Sequence, residues 1–307
     1  MEILRALEGI RTAFFDKIMA VVTYLGDEAV FLVIVLFVLW CVDKKWGIRL
    51  LFLGLSGNVI NQLLKAVFCV PRPWIIDPQF TIVESARAGA GGYSFPSGHT
   101  QGAASLFGGI AIWKKRKAVT ALCAFLVLLT GFSRMYLGVH TPLDVGVSLA
   151  IGLLLTVIFY FFYKREPSQK LEYMLYTLVG TALCASLLAY LLFAPKTAAN
   201  IAEVDAAGLK TAFTLMGSFL GMIVVMWVDR RYIKFSTKAV WWAQILKFVL
   251  GLAIILAVKT LLKQPLYALL GGSAVADAVR YFTVVIVGGI VWPMTFKWWS
   301  SLGKKSA

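Results

Sequence analysis

His99 and His140 are the only two histidines in the chain. Each stands in a short string of residues that could act on phosphorus. One string is Phe95-Pro96-Ser97-Gly98-His99. Another runs Ser133-Arg134-Met135-Tyr136-Leu137-Gly138-Val139-His140-Thr141-Pro142-Leu143-Asp144. A third, Lys65-Ala66-Val67-Phe68-Cys69-Val70-Pro71-Arg72-Pro73, adds two cations. Lys65, Arg72 and Arg134 around one site call for a multiply charged anion. Phosphate suits both the planar Arg forks and the Lys point charge.

The histidines supply the reactivity. Neutral imidazole is a nucleophile near pH 7. Asp144, four residues after His140, can accept the other ring N–H and stabilise the imidazolium that forms. Thr141-Pro142-Leu143-Asp144 also fits a capping box with Pro at the first helical position, and the two roles are compatible. His99 follows Ser97-Gly98 at the start of an apolar run. A helix beginning there offers free backbone N–H groups and a positive end to a phosphate oxygen. Gly98 lets backbone come close, Ser97 suits the N-cap, and His99 can protonate a leaving oxygen. Lys65 and Arg72, seven apart, share a helix face if the helix lasts that far, and Pro71 and Pro73 are poised to break it. The chain shows no grouping of carboxylates or cysteines at metal-ligand spacing, so neither metal nor cofactor is expected. The four cysteines lie in or at the ends of apolar runs as packing residues.

These residues must be positioned by membrane helices. Of 307 residues, 60% are hydrophobic and 15% charged, with mean hydropathy +0.82. That composition excludes a soluble enzyme, a disordered chain and a collagen-like fibre. Windows long enough for a ~30 Å hydrocarbon core give nine spans: 27–42, 49–70, 99–113, 118–139, 142–163, 172–194, 209–228, 239–262 and 279–298. The expected fold is an all-α polytopic membrane helix bundle. Its parts are an amphipathic interfacial helix over 1–26, a five-helix core over 27–163 and a four-helix region over 172–298.

The net charge is +15. Seventeen basic residues, from Lys44 to Lys305, fall in five alternate breaks between spans against only Asp43, Glu166, Glu172 and Asp229. Those breaks carry +13 of the total and are expected to face the cytoplasm. The charge therefore points to orientation in a bilayer and not to nucleic acid. The amino terminus then lies outside, the carboxyl terminus inside, and all three strings meet at the outer face. Lys65, roughly 7.5 Å below the outer end of its span, needs a wet, partnered environment. Lys247, deep in the eighth span, is read as pairing with a polar group, as snorkelling, or as lining a second cavity. Gly217 and Gly221 form a GxxxG helix-packing motif.

The three strings together resemble the signature of the type-2 phosphatidic acid phosphatases, which include bacterial lipid phosphatases and polyprenyl diphosphate phosphatases. The wider superfamily also holds glucose-6-phosphatase and vanadium haloperoxidases. Every signature position is present, in order, with 22 residues between Pro73 and Pro96 and 33 between His99 and Ser133. The likeness covers residues 60–150 directly and does not reach the last four spans. It implies that His140 attacks phosphorus, that Asp144 supports it, and that His99 protonates the leaving group and then activates water. Lys65, Arg72, Ser97, Gly98 and Arg134 would hold the phosphoryl oxygens, without metal. The implied substrate is a lipid phosphate or diphosphate held in the bilayer; the charge distribution puts the site at the non-cytoplasmic face, of a bacterial plasma membrane by default or of the endoplasmic reticulum in a eukaryote. Three other readings stay open at this stage: a sugar-phosphate phosphatase resembling glucose-6-phosphatase, a lipid phosphotransferase, and a transporter with a vestigial core. Oligomeric state is not legible.

Overall fold

The computed structural model describes residues 1–194 and 202–302. Lys304 and Lys305, counted above among the cytoplasmic charges, and residues 195–201 of the expected four-helix region lie outside the described residues. Every regular element described is helical. The chain opens with α1 (Glu2–Gly9) and α2 (Ala13–Val22), then a 3₁₀ turn (Thr23–Gly26) and α3 (Glu28–Phe37). Next come α4 (Lys44–Phe68), the short α5 (Pro73–Ile76), α6 (Gly98–Lys114), α7 (Lys117–Tyr136) and α8 (Pro142–Lys164). They are followed by α9 (Gln169–Phe193), α10 (Ala202–Val228), α11 (Trp241–Leu261) and α12 (Lys263–Leu269). The last are α13 (Val275–Ile286), α14 (Trp292–Met294) and α15 (Phe296–Ser301).

Seven helices among the described residues are long and apolar enough to cross a membrane. The number is eight if Ala13–Gly26 and Glu28–Val42, bent by 51°, form one broken span. The expectation of nine differs for identifiable reasons. The expected span 99–113 is α6, whose 17 residues reach about 26 Å at 1.5 Å per residue, short of the ~30 Å hydrocarbon core. The expected span 27–42 is one limb of the bent pair. Residues 1–26 hold two helices instead of one, because α1 ends at Gly9 and Thr12 caps α2 by accepting the Phe15 N–H at 3.3 Å.

The chain divides into two compact units. The first comprises Met1–Leu32, Ser56–Glu166 and Ala189–Gly208, the second Val33–Leu55, Pro167–Leu188 and Leu209–Ala307. In the first, α6 packs along α7 and α8 and against the 3₁₀ turn. That last contact is made backbone to backbone. A Cβ at Gly26 would come to 2.2 Å from the His99 carbonyl oxygen and 2.9 Å from Thr130 Cγ2. Gly26→Ala is therefore expected to force the turn off α6 at a cost of about 1–3 kcal/mol. It should lower the melting temperature of the detergent-solubilised protein and weaken turnover. A variant with unchanged melting would contradict this packing.

In the second unit, fully buried Trp40 donates its indole N–H to the Gly288 carbonyl at 2.9 Å. Trp40 belongs to a core shared with Trp292, Phe296 and Trp299. The GxxxG glycines of α10 meet α13: a Cβ at Gly217 would lie 2.1 Å from the Ala278 carbonyl oxygen, and one at Gly221 2.8 Å from Val285 Cβ. Lys247 is buried, donates to the Thr237 carbonyl at 3.1 Å and lies 4.5 Å from the Phe296 ring centroid. Its surroundings are thus a carbonyl and an aromatic face, which satisfy the cation within the fold.

Candidate active site

Each predicted site residue sits where a helix begins or ends. α4 stops at Phe68, Cys69 takes a left-handed conformation (φ 48°), and Pro71 follows. The residue before a proline is pushed out of the helical region, so Arg72 leaves the helix and does not share a face with Lys65. It enters the site as the residue before α5. Ser97 caps α6: its hydroxyl oxygen accepts from the Thr100 hydroxyl at 2.9 Å and from the Thr100 N–H at 3.4 Å. Arg134 lies in the last turn of α7. His140 follows in the short connection to α8, and Asp144 closes a capping box with Thr141, with Pro142 in the first turn. The structure thus shows the capping role of Asp144, while its Oδ2 stands 3.5 Å from His140 Nδ1 without a hydrogen bond between them.

The connection before α8 aims His140 into the protein. The side chain is 2% exposed. Its Nε2 lies 3.0 Å from Arg72 Nη1. A guanidinium only donates, so Nε2 is the acceptor and the neutral ring carries its proton on Nδ1. Nδ1 faces Asp144 Oδ2 at 3.5 Å. That oxygen already accepts from the Ser94 hydroxyl at 2.6 Å and the Thr141 N–H at 2.7 Å. Burial, followed by the nearby Arg72, Arg134 and Lys65 cations, holds His140 well below the ordinary imidazole range. The ring is therefore neutral at physiological pH, with a lone pair on Nε2, as a nucleophile requires.

The three cations converge on the same space and rest on backbone oxygens. Arg72 donates to the carbonyls of Gly91 at 2.7 Å, Val139 at 2.9 Å and Gly92 at 3.1 Å. Lys65 donates to the Tyr93 carbonyl at 2.6 Å. Arg134 donates to the Thr23 hydroxyl at 2.7 Å and to the Gly89 carbonyl at 3.5 Å. A Cβ at Gly98 would meet only Asn61 Oδ1, at 3.7 Å, so packing within the protein does not demand glycine there. The glycine leaves α6's first turn open to a ligand, where backbone N–H groups favour anions.

Sequence reading missed three contributors. Ser94 bonds Asp144, Thr23 bonds Arg134, and Asp27 Oδ2 lies 3.9 Å from His99 Nε2. Ser94 stands next to a quoted string, and its position one residue before Phe95-Pro96 was a usable signal. Thr23 and Asp27 come from the amino-terminal segment, far from any string.

Comparison with known proteins bears on what this arrangement is. Residues 46–168 match the model of the PAP2 superfamily, and residues 213–304 match the PAP2 superfamily phosphatase transmembrane extension. Undecaprenyl-diphosphatase BcrC of Bacillus subtilis (strain 168) is 30% identical over 167 residues, covering 52% of this chain and 82% of that protein. The chain belongs to the PAP2 superfamily. It is therefore a multi-pass integral membrane phosphatase, a hydrolase of phosphate esters. Phosphatidylglycerophosphatase B of the same bacterium is 29% identical over 178 residues, covering 53% of this chain and 80% of that protein. A probable sphingosine-1-phosphate phosphatase of Dictyostelium discoideum is 28% identical over 248 residues, covering 74% of this chain and 57% of its own length. No solved structure matches the chain. The PAP2 core contains every string that carried the resemblance. The PAP2 extension covers the last three of the four later spans, from residue 213 onward, and the span 172–194 lies outside both matches.

Proposed function

We propose that this PAP2 protein removes phosphate from a lipid phosphate or diphosphate through a phosphohistidine. The observation that carries the reading is the buried His140 lone pair on Arg72, with Lys65 and Arg134 facing the same space. His140 Nε2 attacks phosphorus and the bond from phosphorus to the leaving oxygen breaks. His99 gives that oxygen its proton. Asp144 steadies the His140 ring and the charge it acquires. Water then attacks the phosphohistidine, His99 takes a proton from it, and inorganic phosphate leaves. Lys65, Arg72, Arg134, Ser97 and the Gly98 N–H hold the phosphoryl oxygens as charge redistributes.

The proposed topology follows the distribution of charge. The basic breaks face the cytoplasm, so the site opens at the outer face of a bacterial plasma membrane, with the amino terminus outside and the carboxyl terminus inside. Residues 1–26 lie at the interface, 27–163 form the catalytic core and 172–298 the added membrane region. Relatives named for undecaprenyl diphosphate, phosphatidylglycerophosphate and sphingosine 1-phosphate favour a substrate with a long apolar tail.

The test is phosphate release from micelles of undecaprenyl diphosphate, phosphatidylglycerophosphate, phosphatidic acid and a sphingoid phosphate, compared with glucose 6-phosphate. At least one lipid should exceed the sugar in kcat/KM by about 100-fold, the size expected when binding energy from a remote tail is used in the transition state. Turnover of the sugar phosphate alone would reject the lipid reading. Label passing mainly to a lipid or sugar hydroxyl, with little free phosphate, would make the protein a phosphotransferase.

A further inference from the structure

A pocket built from three cations binds phosphate well but opposes protonation of an acid inside it. His99 is faced by Arg134 from α7, by Arg72 and Lys65 from the end of α4 and beyond, and by His140 from the connection before α8. Asp144 faces Lys65, Arg72 and His140. One carboxylate reaches the His99 ring itself. Asp27 Oδ2 lies 3.9 Å from His99 Nε2, with side-chain exposures of 34% and 17% for the acid and the imidazole.

The placement of Asp27 is over-determined. Its Oδ1 accepts the Ala29 N–H at 2.8 Å, at the entry to α3. The residue before it, Gly26, lies so close to α6 that no side chain fits between them, and a Cβ at Gly102 would sit 2.9 Å from the Gly26 carbonyl oxygen. Thr23, in the same turn as Gly26, accepts from Arg134 at 2.7 Å. The amino-terminal segment is thus bolted to the turn that carries His99, and the Asp27 carboxylate faces both that ring and the Arg134 guanidinium.

We propose that Asp27 is the positioning residue for His99, orienting its imidazolium toward the leaving oxygen and supplying the counter-charge that keeps it protonated until the proton is delivered. The proposal rests on the reading of His99 as general acid. Asp27 does not touch substrate and acts through His99. The 3.9 Å separation is longer than a hydrogen bond and closes when the ring carries charge.

The experiment compares wild type and Asp27→Asn on two substrates. Asn retains the helix-entry bond that Oδ1 makes. One substrate is a lipid phosphate, whose alcohol must be protonated as it leaves. The other is p-nitrophenyl phosphate, whose leaving group needs no acid. D27N should lower kcat/KM for the lipid about 10-fold while leaving the aryl phosphate within about 2-fold. The basic limb of the lipid pH profile should move about one unit to lower pH, equivalent to that tenfold change. Equal losses on both substrates, or an unmoved basic limb, would overturn the proposal. Should D27N fail to fold by size exclusion and melting, Asp27→Ser, which keeps a capping oxygen, is read by the same criteria. A His99→Ala variant that slows neither substrate would show instead that the general-acid reading has failed, and the proposal falls with it. That result is distinct from a D27N variant with an unchanged substrate ratio.

Discussion

His140→Ala should abolish phosphate release from every substrate the wild type accepts, by at least about 10⁴-fold, the scale on which loss of a covalent nucleophile is felt. The fold around it should survive. Arg72, the group that bonds His140 Nε2, also donates to the carbonyls of Gly91, Gly92 and Val139, so removing the imidazole does not leave a buried guanidinium without partners. Asp144 keeps the Ser94 hydroxyl and the Thr141 N–H. The variant should therefore elute and melt close to wild type while releasing no phosphate. Turnover within tenfold of wild type would dismiss His140 as nucleophile and return the site to a binding role.

His99→Ala should give a different failure. Loss of the acid slows cleavage of a lipid phosphate, but an aryl phosphate still loads His140 because its leaving group departs unaided. The second step has no such escape, since water must lose a proton as it attacks, and general-base assistance is commonly worth about 10²–10⁴-fold. The phosphoenzyme should then accumulate, as one acid-labile phosphoryl group per chain that disappears in the His99→Ala, His140→Ala double variant. Mass spectrometry of the intact protein, and of the peptide bearing residue 140, reads this directly. Rapid release of phosphate without a trapped species would place the water-activating base elsewhere.

The two histidine strings were legible because each is local. Four residues separate His140 from Asp144, and the capping box that Thr141-Pro142-Leu143-Asp144 spells is the device that holds the carboxylate there. Membrane class was legible from composition, since no soluble fold would expose so many large apolar side chains. The prolines flagged the break before Arg72, but not where the arginine goes after it. Spacing left it on Lys65's helix face only if the helix lasted, and the positive φ of Cys69 ahead of Pro71 ends the helix early and brings the arginine in from a different element. Thr23 and Asp27 were invisible for another reason. Their contacts with Arg134 and His99 span 111 and 72 residues, and no periodicity or motif records a meeting at that distance. The span count differs at elements of marginal length, the 17-residue α6 and the pair bent by 51°.

The carbonyls of Gly89, Gly91, Gly92 and Tyr93 that rest on the three cations have a kinetic meaning. They form a resident competitor carried on the same chain as the site. If these cations hold the phosphoryl oxygens as proposed, an arriving phosphate would exchange places with fixed neutral dipoles and a departing one would be replaced by them. The same four oxygens would then hold down affinity for released phosphate.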